Sequence, residues 1–417
     1  MTAVDQLSQG RIISPWQLTI LAGLTALGAA STDIYAPAFP SVQSDLHTSQ
    51  VAVQSTVAVF LFSMALGQIV VGQVSDSIGR RPALLIGVVG YVGASVACAV
   101  APNVAWLLVS RAVQGLGAAA GVVIGRATIQ DRAHTATATR PFSQLVVMTG
   151  LAPILGPMVG AGLLHIGSWR WIFVVQAALG AIFAVGAIMS LPETLSREQR
   201  RPIGLRAAVR AQAEVLANPQ FRRYALAFGL AAGVVFGYVS SYSFVLEVQW
   251  RSSPFVFAVL FGLNGLGMVA LARLNPSLVD RFGPTRVLIG GLLASTAAAA
   301  ALVASVVWPV SVLLVALPTW VVIASRGTIL PNLTSVAMSS GVAARGTASA
   351  LLGSIQWTIG AIATVVAGLS ANPGIGMSVT MLTFSAATLL AASGVRRRGS
   401  ATLAAADQTA ANTIPAE

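Results

Sequence analysis

The chain has 417 residues, 56% of them hydrophobic and only 9% charged, against about 25% charged in an average soluble domain. A large soluble helical protein would carry polar faces at a period of 3.6 residues, and those faces are missing here. The net charge of +12 comes entirely from arginine, and the single Cys98 and three scattered histidines offer neither an intramolecular disulfide nor metal-ligand spacing.

Twelve apolar runs are long enough to cross a hydrocarbon core of roughly 30 Å: 16–40, 51–72, 83–101, 104–130, 141–165, 170–191, 221–246, 254–273, 285–307, 309–332, 346–370 and 375–394. The first begins like a secretory signal, with Arg11 ahead of a stretch ending in Leu-Gly-Ala-Ala-Ser. Its apolar character continues through Asp33 to Pro40, so it reads as a retained span. Between the second and third runs lies a charged segment, Gly72 to Pro82, read as a short loop. Gly72 and Gly79 permit a tight turn and close backbone approach. Asp76 and Arg80 can pair with each other, or with charges and helix ends across a moving gate.

An ionisable residue within a span is costly unless it faces a cavity or a partner. Asp33, Arg111, Arg126 and Arg326 are in that position. Asp33 and Arg111 each stand about seven residues from the same end of their spans, which at 1.5 Å per residue is roughly 10 Å deep. Equal depth and opposite sign predict one shared polar cavity. Asp33 then either carries a transported proton, as changing water access switches its protonation, or forms a static buried pair with Arg111. Arg126 and Arg326 either snorkel to the interface or serve substrate or gating. In the fifth run, Gly150, Gly156, Pro157 and Gly160 let two helices approach closely and bend one of them.

Residues 192–220 form the only long polar segment and divide six spans from six. The expected organisation is a terminal segment 1–15, a first bundle 16–191, the linker 192–220, a second bundle 221–394 and a disordered tail 395–417. Two echoes point to duplication. Asp76-x-x-Gly79 recurs as Asp280-x-x-Gly283, and Val-Val-Ile-Gly-Arg126 recurs as Val-Val-Ile-Ala-Ser-Arg326. Outside the spans the arginines concentrate at the termini and in alternate loops, with Arg170 and Arg251 the exceptions. This predicts both termini and the linker in the cytoplasm. The charge is thus a topology signal that requires no nucleic-acid partner.

The pattern Gly-x-x-x-Asp-x-x-Gly-Arg-Arg at Gly72–Arg81 resembles the signature between spans 2 and 3 of the major facilitator superfamily. Further stretches resemble its twelve-span drug:proton antiporters of the bicyclomycin/chloramphenicol-resistance (Bcr/CflA) type. They are Asp33-Ile-Tyr35-Ala-Pro37-Ala-Phe-Pro40, Arg111-Ala-Val-Gln114-Gly115-Leu-Gly117, Asp131, Trp169-Arg170-Trp171-Ile-Phe173, Tyr238 to Val245 and Gly346 to Gln356. The resemblance implies an all-α integral membrane protein with twelve transmembrane helices in two pseudo-symmetric six-helix bundles. It further implies that Asp76, Arg80, Arg81 and Asp131 form a cytoplasmic network locking the outward-facing state, and that Arg111 assists protonation of Asp33. Gly156-Pro157-x-x-Gly160 looks like the span 5 antiporter motif. Substrate is expected against Tyr35, Gln114, Phe236, Tyr238 and Gln356.

Three positions depart from the pattern: Ser77 stands where a basic residue is usual, Pro284-Thr285 precede Arg286 in the second-half turn, and Glu247 closes span 7. The expected activity is proton-coupled efflux of small amphipathic drugs across the bacterial inner membrane, by a monomer in the bilayer. No cofactor is expected beyond the proton gradient. The alternative is export of a metabolite such as an amino acid or sugar. A signalling module, an open polar pore or an enzymatic constellation finds no support in the residues.

Overall fold

The computed structural model describes residues 14–132, 139–200, 202, 204–308, 311–340 and 345–393. Residues 1–13 of the expected terminal segment and the whole of the expected tail, 395–417, lie outside the described residues. Twelve long helices follow in order among them: α1 (Pro15–Asp33), α2 (Gln50–Ile78), α3 (Arg80–Ala99), α4 (Val104–Arg132), α5 (Thr139–Ile166) and α6 (Arg170–Ser190), then α7 (Pro219–Ser243), α8 (Pro254–Phe282), α9 (Pro284–Val307), α10 (Val312–Met338), α11 (Arg345–Gly368) and α12 (Pro373–Ser393). Eleven segments are long and apolar enough to cross a membrane, and α5, whose side chains are described only from Pro153 on, counts over Pro153–Ile166 as a shorter apolar helix.

Local chemistry explains where these helices begin. Ser14, Ser49, Asn218, Ser253 and Ser311 each accept a hydrogen bond from a first-turn amide, and Pro15, Pro219 and Pro254 start their helices where a missing N–H costs nothing. The segment expected to be a loop at Gly72–Pro82 is helical except for Gly79. No proline occurs in α2 before that glycine. At 29 residues, α2 is about 43 Å long, so its charged end projects beyond the hydrocarbon. Gly79 has φ +108° and ψ 157°, a region essentially reserved for glycine, and Gly283 turns α8 into α9 in the same way. The linker is also partly structured, with a 3-10 turn at Arg197–Gln199 and an amphipathic helix at Leu205–Ala217.

Packing repeats with a shift of six helices. In the first half α4 packs on α1, α2 and α3, while α6 packs on α1 and α3; in the second α10 packs on α7, α8 and α9, while α12 packs on α7 and α9. The halves meet through two equivalent pairs, α2 with α11 and α5 with α8. Large apolar side chains such as Val109, Ile86 and Leu390 point outward, while Gln54, Gln114, Gln176 and Asn264 are buried. That inversion suits a chain whose solvent is lipid, where buried polar groups find partners between helices.

Candidate functional site

At the arginine-rich end, Arg80 joins three elements. Its guanidinium pairs with Asp76 on α2 and donates from Nε to Asp131 Oδ2 on α4 at 3.1 Å, and Nη1 reaches Ser75 Oγ at 2.8 Å. Arg81 donates to the Ile188 carbonyl of α6 at 2.7 Å. Asp76, Arg80 and Asp131 are thus brought together, without an ion pair for Arg81 and wholly within the first half: among the described residues no ion pair joins the two halves at this end. Gly72 lies within α2, where an added Cβ would only touch Val123 at 3.9 Å, so it supplies contact with α4 rather than a turn.

Sequence reasoning missed Glu193, the centre of this cluster. Its carboxylate accepts from the Arg80 and Arg81 backbone amides at 2.9 and 3.2 Å, and from those of Thr194 and Leu195 at 3.0 Å each. The first two are free donors at the start of α3, where the helix dipole also favours an anion. Glu193 leaves no room for a side chain at residue 79, since a Cβ there would come within 2.5 Å of its Oε2. Burial works against the charge, yet these backbone amides outweigh it and hold the carboxyl below the ordinary glutamate value. A lowered native pKa means that the contact stabilises the fold fully above the unfolded-state pKa, and that this contribution is lost as pH falls through the native one. Glu193→Gln is accordingly expected to flatten the acid limb of thermal stability below about pH 4.3 and to raise hydrogen exchange at the Arg80 and Arg81 amides. Unchanged protection of both amides would show that the cap carries no energy.

Asp33 closes α1, buried to 5% exposure, and forms no ion pair among the described residues. It packs where α5 comes closest: a Cβ on Gly156 would stand 2.8 Å from Asp33 Cβ, and one on Gly160 would collide with the Ile34 carbonyl oxygen. The glycines thus set the separation of α1 and α5 at the carboxylate. Pro157 lies in the same turn of α5, while Gly150 falls among residues 132–152, whose side chains are outside the described set. The 3-10 turn that follows Asp33, Ala36–Ala38, packs on α7 and α8 of the second half. The acid therefore stands at the junction of the two halves.

Arg111 does not face it. Arg111 Nη1 donates to Gln114 Oε1 at 2.6 Å and to the Ser31 carbonyl at 3.4 Å, and the guanidinium lies 4.2 Å from the centre of the Phe60 ring, with Tyr35 at 5.2 Å and Phe173 at 5.8 Å. Gln114 continues to Ser95 at 2.7 Å and Gln176 at 2.9 Å. The cavity expected to be shared by Asp33 and Arg111 does not form: the arginine reaches the Ser31 carbonyl, two residues before the acid. Two residues along a helix is a rotation of about 200°, which turns Asp33 away from the arginine. A cation held by rings and neutral amides in the core of the first half is the observed arrangement.

The residues expected around one substrate cavity fall in separate places. Tyr35 and Gln114 belong to the Arg111 cage, and Tyr35 shares a hydrogen bond with Thr56. Phe236 packs on Trp357 of α11 at 5.4 Å, one residue beyond the half-buried Gln356. Tyr238 stacks on Phe261 and accepts from Asn264 at 2.8 Å. Arg126 is exposed towards the arginine-rich end, whereas Arg326 is fully buried within the second half, bonded to Ser295 of α9 and to Ser385 of α12 at 2.9 Å. Their similar sequence surroundings therefore conceal different environments, because the two arginines stand at different distances from the starts of their helices. A search for uncharged polar residues within apolar runs would have found Gln54, Gln176 and Asn264; a search for ionisable ones missed them.

At the end away from the arginines the halves are closed. Phe39 stacks on Phe244 with ring centres 6.1 Å apart, and Gln54 Nε2 donates to the Ser240 carbonyl and Ser241 Oγ at 3.0 Å each. Glu247 follows in a π-helical turn, Phe244–Gln249, with its buried Oε1 unpartnered among the described residues. Arg170, an exception to the arginine asymmetry, is paired with Asp45 at 2.5 Å, and Trp169 donates to the same carboxylate at 3.0 Å.

Comparison with known proteins agrees with this arrangement. The sequence matches the Major Facilitator Superfamily over residues 21–365. It is 32% identical over 373 residues to the uncharacterized MFS-type transporter YdgK of Bacillus subtilis (strain 168), covering 87% of this chain and 91% of the relative. It is 28% identical over 368 residues to a bicyclomycin resistance protein homolog of Haemophilus influenzae, covering 86% and 90%. The crystal structure of a D-xylose-proton symporter superposes with a TM-score of 0.73 at 17% identity, covering 90% of this chain and 96% of that one. The sequence match, the paired bundles and the apolar exterior make this chain a multi-pass membrane transporter of the Major Facilitator Superfamily.

Proposed function

We propose that the protein is a proton-driven exporter of small amphipathic compounds, antibiotics among them, in the inner membrane. The observation that carries this reading is Asp33: a buried carboxylate without a cationic partner among the described residues, beside the turn where α1 meets the second half. A group in that position exchanges its proton with whichever side the junction opens to, so rocking of the halves alternates its access. Similarity to a bicyclomycin resistance homolog supports the choice of cargo. In the orientation indicated by the arginines, both termini are cytoplasmic and the Phe39–Phe244 contact closes the outer side. The Arg80 network would then be the part of the inner gate carried by the first half.

The test is growth of an efflux-deficient bacterial strain on an antibiotic panel, with and without the chain. Cargo-dependent proton movement is then measured in everted vesicles. The expected result is protection against some panel members, with each protective compound dissipating the imposed pH gradient. Protection against none, together with export of an amino acid or sugar, would establish the metabolite exporter instead.

A further inference from the structure

The two half-turns differ in a way that creates a site. In the first half the residue after the turn glycine is Arg80, which pairs with Asp76. In the second half Pro284 takes that place, and the arginine is displaced to residue 286, about 200° further round the helix. Arg286 is exposed and makes no ion pair or hydrogen bond among the described residues, and Asp280 is likewise unpaired there. Its side chain lines a groove of about 410 Å³ bounded by α8, α9 and α10.

The groove is apolar apart from that arginine. Leu271, Leu278 and Phe282 form one wall, and Gly290, Gly291 and Ala294 form the other. Ser325 and Thr328 at its base have their hydroxyls bonded to carbonyls of their own helix, at 2.6 and 3.0 Å, and so present little free polarity. A second difference between the halves keeps the groove open. Seven residues after the turn glycine the first half has Ile86; the second has Gly290, where an added Cβ would meet nothing within 4 Å. A free cation at the membrane interface, continuous with an unfilled apolar trough, is complementary to a molecule with an anionic head and a hydrocarbon tail.

We propose that this groove binds an anionic phospholipid, with its phosphate on Arg286 and one acyl chain lying over Gly290, Gly291 and Ala294. Such a lipid bridges α8, α9 and α10 beside the turn that in the first half is held by the Arg80–Asp76 pair. It supplies from the bilayer a contact that the second half lacks in its own sequence.

The test uses the full-length protein in detergent, titrated with phosphatidylglycerol, with phosphatidylcholine of the same chains and with inorganic phosphate. Adducts are counted by native mass spectrometry alongside thermal stability. Phosphatidylglycerol is expected to bind preferentially and to stabilise. Arg286→Gln should lose about fivefold in phosphatidylglycerol affinity, while Arg210→Gln, on the exposed linker helix, retains the preference. Gly290→Leu, which fills the trough while keeping the arginine, should weaken binding of the same lipid. The proposal is overturned if the preference survives in Arg286→Gln, if Gly290→Leu binds as the parent does, or if inorganic phosphate alone reproduces the stabilisation.

Discussion

Asp33→Asn is expected to reduce proton-driven accumulation in proteoliposomes to the level of protein-free liposomes, while substrate binding persists. Asparagine has nearly the shape of aspartate, so the packing of α1 against Gly156 is retained and the variant folds. What it lacks is a proton that can be released. Since Asp33 forms no ion pair among the described residues, the substitution strands no buried cation, and the loss reports on proton exchange rather than on a broken salt bridge. Measuring transport against an imposed pH gradient and equilibrium binding on the same preparation separates the two. Parental transport with unaltered proton dependence would remove Asp33 from the coupling role.

Gly160→Ala and Gly162→Ala should move stability in opposite directions. A Cβ at 160 would strike the Ile34 carbonyl and approach Pro37 Cγ to 2.7 Å, and the backbone on α1 has no rotamer with which to yield. Overpacking of that kind costs about 1–3 kcal/mol. It would also prise α1 from α5 beside Asp33, so transport should fall with stability. At 162 a Cβ meets nothing within 4 Å, and alanine should gain up to about 1 kcal/mol through helix propensity. The protein carries its own reporter, because Cys98 is buried and is the only thiol: a thiol-reactive dye labels it as the helices separate on heating. Alanine variants that melt together would show that the close approach of α1 and α5 is not set by Gly160.

Much of the architecture could be read from composition because the bilayer imposes it. A span must be apolar over about 20 residues and must satisfy its backbone internally. Helices with Ser-Pro or Asn-Pro at their starts therefore begin close to where the apolar runs do. Of the two glycines read as turn residues, Gly79 was legible for a similarly local reason, since it adopts the positive φ that few other residues tolerate, as its echo Gly283 does, whereas Gly72 stays helical. The charged segment reads as a loop from its composition, whereas α2 continues through it to Gly79.

Level along the helices is legible, since rise per residue is constant, and Arg111 reaches a carbonyl in the last turn of α1. Azimuth was not. A helix that is apolar on all sides carries no periodic signal to say which face meets which neighbour. Whether Asp33 faced Arg111 or the junction of the halves thus depended on packing between α1, α4, α5 and α7. The same holds for Arg326, enclosed by α9 and α12, and for Glu193, which lies more than a hundred residues from the amides that it caps. Sequence by itself determined the number and the starts of the long helices, because these follow from the solvent and the local backbone. Tertiary structure decided which polar groups meet, because partners far apart in the chain are brought together only by the way the helices pack.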